Sequence, residues 1–308
     1  MDNLFIECYL RGVMKMNNMP EERRKKLKKL LKEKEYIRVM EASNGLTGLI
    51  VENTKVENKE YDAMWISSLC DSTLKGKEDN EVVDFSSRVN TIEEIMEVTS
   101  KPIIVDGDTG GKIEHFVQHI KTLERIGVSA IIIEDKKGLK QNSLYGNKVE
   151  QQLEEKEIFA EKIRQGKRVT QTDDFMIFAR IESFIADMGI DDAMQRAEEY
   201  INAGADGIMI HSYKNDGAEI VEFLTKVKQK FPKIILIVVP TTYSQFKEKE
   251  LNGYGANIII YANHLLRSAY SAMLKTAKKI LKDERSFEAS QEYCSSMKEI
   301  LEIVGEKK

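Results

Sequence analysis

Cysteine is scarce in this sequence: Cys8, Cys70 and Cys294 are the only three among 308 residues. Their number is odd and they lie far apart, whereas a disulfide framework needs pairs and a zinc knuckle needs close spacing. Neither kind of stabilisation is therefore expected. The fold must depend on an apolar core, and a hydrophobic content of 42% is enough for a substantial one.

Long apolar runs and an excess of positive charge are also missing. No segment approaches the roughly 20 apolar residues that a membrane-spanning helix needs. The first twenty residues lack the basic start, apolar centre and small-residue cleavage site of an export signal. The net charge of −4 gives no overall basic field for nucleic acid. We therefore expect a cytoplasmic protein that binds neither membranes nor nucleic acid.

The sequence is rich in β-branched apolar runs that end in polar residues. Runs such as IIIE and ILIVV are apolar without alternation, as expected for parallel strands buried on both faces. Helical patterns lie between most of them, and several end at a glycine, which suits the left-handed end of a helix. The predicted strands are Ile37–Ala42, Ala63–Ser67, Pro102–Asp106, Ala130–Glu134, Phe175–Arg180, Gly207–His211, Ile234–Val239 and Asn257–Tyr261. The predicted helices between them include Thr91–Thr99, Ile113–Ile126, Asp191–Ala203 and Gly217–Phe231.

Eight such units favour a closed (β/α)8 TIM-type barrel of the α/β class. An open doubly wound sheet is the alternative, but the sequence has no glycine-rich dinucleotide fingerprint. We assign residues 37–308 to one barrel domain and residues 1–36 to a helical extension. Its EERRKKLKKLLKEKE stretch predicts a solvated helix, whose interleaved acids disfavour nucleic-acid binding. Ser268–Lys282 is predicted as the eighth barrel helix. Ser286–Val304 is predicted as an amphipathic helix that packs on the barrel or on a neighbouring subunit.

Acidic residues stand at two neighbouring strand ends, where barrel enzymes carry their chemistry. Asp106 and Asp108 end the third strand, and Glu134 ends the fourth. Carboxylate oxygens are the ligands that Mg²⁺ prefers, and the ion keeps several waters, so one acid can bind directly and the others through water. The alternative is that these acids are solvated or pair with Lys136 and Arg180.

Arg180 and His211 end the fifth and sixth strands and are aimed at the same barrel mouth. Arginine grips carboxylate or phosphonate oxygens with two hydrogen bonds, and histidine can donate one to a carbonyl or enolate oxygen. Ion pairs with the neighbouring acids are the alternative. The polar segment after the fourth strand, EDKKGLKQNSLYG (134–146), predicts either a lid that closes over an anion or a flexible loop.

Several motifs resemble the phosphoenolpyruvate mutase branch of the isocitrate lyase/phosphoenolpyruvate mutase superfamily. They are WISSL (65–69), IIVDGDTGG (103–111), IIIEDKKGLKQNS (131–143), ARIESFIADMGIDDAMQRAEEYINAGADGIMIHS (179–212), VVPTTY (238–243) and YANHLLRSAYSAM (261–273). The resemblance implies reversible conversion of phosphoenolpyruvate to phosphonopyruvate, a Mg²⁺ cofactor, a barrel with a swapped C-terminal helix, and a homotetramer built from dimers.

The resemblance also implies roles for individual residues. Asp106 resembles the direct metal ligand, and Asp79, Asp108 and Glu134 resemble the acids that hold metal-bound waters. The residues that resemble substrate-binding or catalytic groups are Ser67, Ser68, Leu69, Lys140, Asn142, Ser143, Arg180 and His211. Two stretches depart from the family pattern. DTGGK (108–112) stands where some members have Asp-Thr-Gly-Tyr-Gly, and Asp79 lies in the divergent stretch KGKEDNEVVD, in which Asp84 is the alternative for the same role.

Three other functions compete with the mutase. Phosphonopyruvate hydrolase shares the fold and most of the site. The resemblance implies a threonine in its lid at the position that Asn142 occupies here, so Asn142 favours the mutase. In isocitrate and methylisocitrate lyases, the resemblance implies a catalytic Lys-Lys-Cys-Gly-His loop after the fourth strand. The corresponding loop of this chain has no cysteine. A barrel without catalytic activity would be expected to lack the charged residues at the strand ends. Asp106, Asp108 and Glu134 are all present, which disfavours this alternative.

Overall fold

The computed structural model describes residues 19–138, 140, 142–143, 146 and 150–305. Eight parallel strands form a closed barrel in chain order, so the predicted fold class is confirmed. Every strand lies within one residue of its predicted bounds. The strands are β1 (Ile37–Glu41), β2 (Ala63–Ile66), β3 (Ile103–Asp106), β4 (Ala130–Glu134), β5 (Met176–Ile181), β6 (Gly207–Ile210), β7 (Ile235–Val238) and β8 (Ile258–Tyr261).

The strand runs lack alternation because both faces of each strand are buried. One set of side chains fills the barrel interior, including Val39, Ile104 and Phe178. The other set packs beneath the surrounding helices, including Ile103 and Ile177. The register places Glu134 of β4 directly opposite Arg180 of β5. Opposite charges are therefore paired across neighbouring strands at the barrel mouth.

The helices alternate with the strands, and a short antiparallel hairpin (Lys55–Val56 with Lys59–Glu60) precedes β2. The helices in the described part of the chain are α1 (Pro20–Glu33), α2 (Gly45–Asn53), α3 (Ser68–Leu74), α4 (Phe85–Val98), α5 (Ile113–Ile126), α6 (Lys156–Val169), α7 (Gly189–Asn202), α8 (Ala218–Lys230), α9 (Glu248–Gly253), α10 (His264–Asp283), α11 (Phe287–Glu292) and α12 (Met297–Ile303). Helix α4 begins six residues before its predicted start, because the Asp84 carboxylate caps it by accepting from Ser87 N–H.

Helix α1 closes the end of the barrel at which the strands begin. Leu27 is fully buried and belongs to the cluster that fills the barrel interior. The Arg23 guanidinium donates to the carbonyl of Lys101 (2.8 Å), just before β3, and Arg24 donates to the carbonyl of Glu124. The prediction of a solvated helix is therefore wrong for this face, because a carbonyl before β3 and another in the last turn of α5 satisfy the buried arginines.

The C-terminal segment also differs from its prediction. The predicted helix Ser286–Val304 is two short helices, α11 and α12. The break occurs because Ser296 starts a new helix: its hydroxyl accepts from Glu299 N–H (3.3 Å), and the Glu299 carboxylate accepts from Ser296 N–H (2.9 Å). Of the described helices, none is long and apolar enough to cross a membrane.

Helix α10 leaves most of its apolar residues exposed. None of its side chains is buried, although it is amphipathic and 20 residues long. Its exposed apolar side chains are Tyr270, Met273, Leu274, Ile280 and Leu281, the last being 81% exposed. A helix with an uncovered apolar stripe is unusual in a barrel, whose helices normally pack on their own strands.

Candidate active site

The polar strand ends converge on one cavity at the C-terminal mouth of the barrel. Of the predicted site residues, Ser67, Leu69, Asp79, Asp106, Lys140, Asn142, Ser143, Arg180 and His211 line this cavity. Trp65, Thr241 and Asn263 are among the other residues that line it. Ser68, Asp108 and Glu134 lie directly behind the lining residues as their hydrogen-bond or ion-pair partners.

The start of helix α3 positions Asp106. Ser67 caps this helix by accepting from Cys70 N–H, and the next residue, Ser68, then faces β3. Its backbone N–H and its hydroxyl both donate to Oδ2 of Asp106, at 3.2 and 2.9 Å. One oxygen of Asp106 is thus fixed by the helix start, and the other, Oδ1, accepts from Asp108 N–H at 3.2 Å.

A single ammonium group lies between three carboxylates of the site. Lys140 Nζ is 2.8 Å from Asp108 Oδ1, 3.2 Å from Asp79 Oδ1 and 3.8 Å from Asp106 Oδ2. It also donates to the Ser68 hydroxyl at 2.6 Å. These contacts raise the pKa of Lys140 well above its usual value despite burial, so that its charge is permanent. Asp79, Asp106 and Asp108 therefore surround a site that is occupied by one positive charge.

Asp79 anchors the segment that follows β4. Its Oδ2 accepts from the Asn142 amide at 2.9 Å, and its Oδ1 pairs with Lys140. The rival residue, Asp84, is exposed and serves as the cap of α4. The structure thus brings Asp79, and not Asp84, to the predicted lid.

Ser143 joins the lid to the opposite side of the mouth. Its hydroxyl accepts from Arg180 NH2 and from Lys136 Nζ, both at 2.7 Å, and donates to the Glu182 carboxylate. Arg180 also contacts Glu134 at 3.0 Å and Glu182 at 2.6 Å. Arg180 is therefore held on three sides by acids and by the lid.

Two buried carboxyl groups beside Arg180 differ in acidity. Burial raises the pKa of Glu134 to about 7, against the attraction of Arg180. Glu182 is also buried, but Arg180, Lys136 and His211 together hold its pKa well below the usual range. Neither oxygen of Glu134 makes a well-directed hydrogen bond to a described residue. Glu134 is therefore the acid of the pair that is available for a further ligand.

His211 is oriented by Glu182. Its Nδ1 lies 3.3 Å from the Glu182 carboxylate, and its buried Nε2 has no partner among the described residues. Burial and the neighbouring Arg180 lower the pKa of His211 to about 4, so the ring is neutral at pH 7. If Nδ1 carries the proton, Nε2 is an acceptor. The predicted donation to substrate then requires that substrate binding protonates the ring.

The predicted metal ligands are not grouped as a direct cluster. Among the residues that the structure describes, no three histidine, cysteine or acidic side chains could together hold a metal ion. Asp106 and Asp108 share Lys140, whereas Glu134 faces Arg180. A magnesium ion that keeps several waters needs few direct protein ligands, so a site of that kind is compatible with this arrangement. The metal-binding roles of the three acids stay predictions.

Glu182 lies at the centre of the charge network, just after the end of β5, where it contacts Arg180 and Lys136. Arg88 is a residue of the site that sequence reasoning missed. Arg88 of α4 donates to the Asp108 carboxylate and to the carbonyl of Asp106. The available signal was its place on the apolar face of a helix, in register with Thr91, Ile92 and Ile95.

The family model described as phosphoenolpyruvate phosphomutase matches residues 27–281, which include all eight strands and the whole site. A phosphoenolpyruvate phosphomutase from Tetrahymena pyriformis is 34% identical over 281 residues, covering 91% of this chain and 90% of the relative. The chain belongs to the phosphoenolpyruvate phosphomutase family. The assignment to this enzyme branch that the motifs predicted is thereby confirmed.

Solved structures agree with this assignment. The phosphoenolpyruvate phosphomutase of Streptomyces platensis subsp. rosaceus has a TM-score of 0.85 at 29% identity, covering 92% of this chain and 95% of its own. A phosphonopyruvate hydrolase in complex with oxalate and Mg²⁺ has a TM-score of 0.81 at 29% identity, with the same coverage. Both a mutase and a hydrolase therefore share the fold of this chain.

Proposed function

We propose that this family member is a phosphoenolpyruvate mutase, which transfers the phosphoryl group within one molecule and so interconverts phosphoenolpyruvate and 3-phosphonopyruvate. The observation that carries the proposal is the contact between the Asn142 amide and Asp79, 2.9 Å apart, which places an amide donor over the cavity. The family resemblance implies that the hydrolase has a threonine at the position of Asn142. An amide can hold a phosphoryl oxygen and is a poor activator of water.

The same site supports a requirement for Mg²⁺. Asp79, Asp106 and Asp108 already surround one positive charge, and Glu134 has oxygens that lack well-directed partners within the described chain. We assign Asp106 as the direct ligand and Asp79, Asp108 and Glu134 as the acids that hold its waters. Bound Mg²⁺ would supply charge stabilisation to the enolate and phosphoryl oxygens. A related phosphonopyruvate hydrolase has been solved with Mg²⁺ and oxalate, a planar dianion.

The residues of this chain perform the remaining work by positioning. Phosphoryl transfer passes through a loose transition state, which needs orientation and charge stabilisation more than covalent chemistry. Arg180 is buried and fixed by Glu134 and Glu182, so it presents its charge to the transferring group without reorganisation. The loop of Ser67, Ser68 and Leu69 binds the substrate, partly through backbone N–H groups; Ser67 and Leu69 line the cavity, and Ser68 holds Asp106 from behind. Lys140, Asn142 and Ser143 close the cavity and keep water from capturing the phosphoryl group.

Phosphorus NMR of the product mixture tests the proposal. Purified protein with Mg²⁺ and phosphonopyruvate should produce phosphoenolpyruvate, detected in parallel by coupling to pyruvate kinase. Pyruvate and phosphate that form without phosphoenolpyruvate would establish the hydrolase instead. Asn142→Thr is the matched variant, and it should raise the share of inorganic phosphate among the products. An unchanged product ratio would remove Asn142 from the argument.

The exposed stripe of α10 supports an oligomer. We propose that α10 packs on the barrel of a second copy, as a swapped helix, in a dimer or in a tetramer built from two dimers. Five uncovered apolar side chains on one helix are costly in water and are satisfied by a partner surface. Light scattering should give a mass of two or four chains, and Leu281→Glu should lower it. A monomeric wild-type protein would refute the swap.

The remaining partners are small. We propose that the cavity takes only the phosphorylated or phosphonylated three-carbon acid, that nucleic acid is not a ligand, and that the protein is cytoplasmic. Because the reaction favours phosphoenolpyruvate in this family, an enzyme that consumes phosphonopyruvate is expected to act next. Cell fractionation tests the location directly.

A further inference from the structure

We propose that Arg88 is a positioning residue that fixes the Asp106–Gly107–Asp108 turn and thereby sets the affinity of the site for a divalent cation. The inference rests on the proposed magnesium site. Arg88 lies on α4, outside the barrel wall, and reaches the site from behind. It does not line the cavity in which the substrate is proposed to bind.

The contacts of Arg88 span the whole turn. One guanidinium nitrogen, NH1, donates to Oδ2 of Asp108, and the other, NH2, donates to the backbone carbonyl of Asp106. Arg88 is only 9% exposed. A buried guanidinium is retained only when its donors are satisfied, and its planar fork suits two acceptors at fixed separation. Arg88 thus ties the side chain at one end of the turn to the backbone at the other.

The two oxygens of Asp108 face different partners. Oδ2 is held by Arg88, and Oδ1 points into the site, where it accepts from Lys140 at 2.8 Å. Without Arg88 the carboxylate could rotate away from the orientation in which one oxygen faces the site. Arg88 therefore fixes the orientation in which Asp108 meets a cation or its bound water.

The backbone of the turn has an unusual conformation. Asp108 has a φ of +50°, a region that few residues other than glycine, asparagine and aspartate adopt. Gly107 cannot be replaced to stiffen the turn, because a Cβ there would lie 2.7 Å from the side chain of Ile131. Strand β4 holds the turn on one side, through Glu134 N–H to the Asp108 carbonyl (2.8 Å), and the hydrogen bond from Arg88 to the Asp106 carbonyl ties it to α4 on the other.

Charge and orientation act in opposite directions, so they can be separated. The positive charge of Arg88 repels a divalent cation, and its removal alone would strengthen binding. The loss of orientation weakens binding, and outer partners of metal ligands typically contribute about 10- to 100-fold in affinity. Arg88→Lys keeps the charge but reaches one acceptor at a time, so it isolates orientation. Arg88→Gln removes the charge and keeps a shorter donor, and it serves if the lysine variant does not fold.

The experiment measures Mn²⁺ binding by the electron paramagnetic resonance signal of the free ion, with Mg²⁺ as competitor. We expect Arg88→Lys to raise the dissociation constant about tenfold and to leave kcat at saturating Mg²⁺ within a few-fold of wild type. Arg23→Lys is the matched control, since it removes buried carbonyl contacts at the other end of the barrel. It should lower the melting temperature and leave the dissociation constant unchanged.

Asp106→Asn separates failure of the inference from failure of the proposed site. If wild-type protein binds Mn²⁺ and Asp106→Asn does not weaken that binding, the proposed site is wrong and the role of Arg88 falls with it. If Asp106→Asn weakens binding but neither Arg88→Lys nor Arg88→Gln changes the dissociation constant by more than twofold, only the inference is overturned. An equal change in Arg23→Lys would likewise overturn it, because the effect would then be general destabilisation.

Discussion

Replacement of Ser143 by alanine tests whether the lid is held closed by the charge network beneath it. The hydroxyl accepts from Arg180 and Lys136, both at 2.7 Å, and donates to Glu182. Hydrogen bonds to charged groups each contribute about 1.5 to 3 kcal/mol. The three partners retain contacts with one another in Ser143→Ala, including Lys136 to Glu182 at 3.0 Å and Arg180 to Glu182 at 2.6 Å. The net loss is therefore closer to one such bond than to three.

A loss of about 2 to 3 kcal/mol in lid closure corresponds to a kcat/KM about 30- to 150-fold lower. The pyruvate kinase-coupled assay gives this ratio. Trypsin cleavage after Lys140, which is 3% exposed, reports lid opening directly and should accelerate. Ser183→Ala is the control, since that buried hydroxyl donates to Asp192 outside the lid at 2.7 Å. A kcat/KM within twofold of wild type, or an equal loss in Ser183→Ala, would refute the reasoning.

Three further predictions follow from the same contacts. His211 should titrate with a pKa of about 4 in the free protein, and an imidazole NMR titration near pH 6.5 would contradict the burial and the effect of Arg180. Burial raises the pKa of Glu41 to about 7, so its neutral form stabilises the fold at acid pH and this contribution is lost as the pH rises through that value. Thermal melts should therefore show a fall in melting temperature between about pH 4.5 and 7 that is smaller in Glu41→Gln; an identical fall in the variant would exclude Glu41. Leu27→Ala should lower the free energy of unfolding by about 2 to 5 kcal/mol, measured in denaturant, because Leu27 belongs to the barrel interior; a loss below 1 kcal/mol would mean that α1 is dispensable.

The barrel could be predicted from the sequence because its strands carry a strong and uniform signal. Parallel strands that are buried on both faces give unbroken apolar runs, such as Ile131–Ile133, and the residue after each run must lie at the barrel mouth. The site residues Asp106, Glu134, Arg180 and His211 could be predicted for the same reason. Their convergence is a property of the fold and needs no knowledge of side-chain contacts.

What could not be predicted depends on partners that are distant in sequence. The burial of Arg23 and Arg24 requires carbonyls some 75 to 100 residues away, and a run of basic residues gives no sign of them. Arg88 was overlooked because the predicted start of α4, at Thr91, excluded it from the helix. The break in the C-terminal helix rests on a local hydrogen-bond exchange between Ser296 and Glu299 that competes with helix continuation.

The ion pair between Glu134 and Arg180 depends on strand register, since the two residues stand opposite each other in the β4–β5 ladder. Successive residues of a strand point to opposite faces, so a shift of one residue would turn Arg180 out of the mouth and leave Glu134 uncompensated. The active-site charges are thus encoded in the alignment of two adjacent strands. A single residue gained or lost within β5 is therefore expected to remove Arg180 from the cavity, whereas a change of length in a connecting loop leaves this register intact.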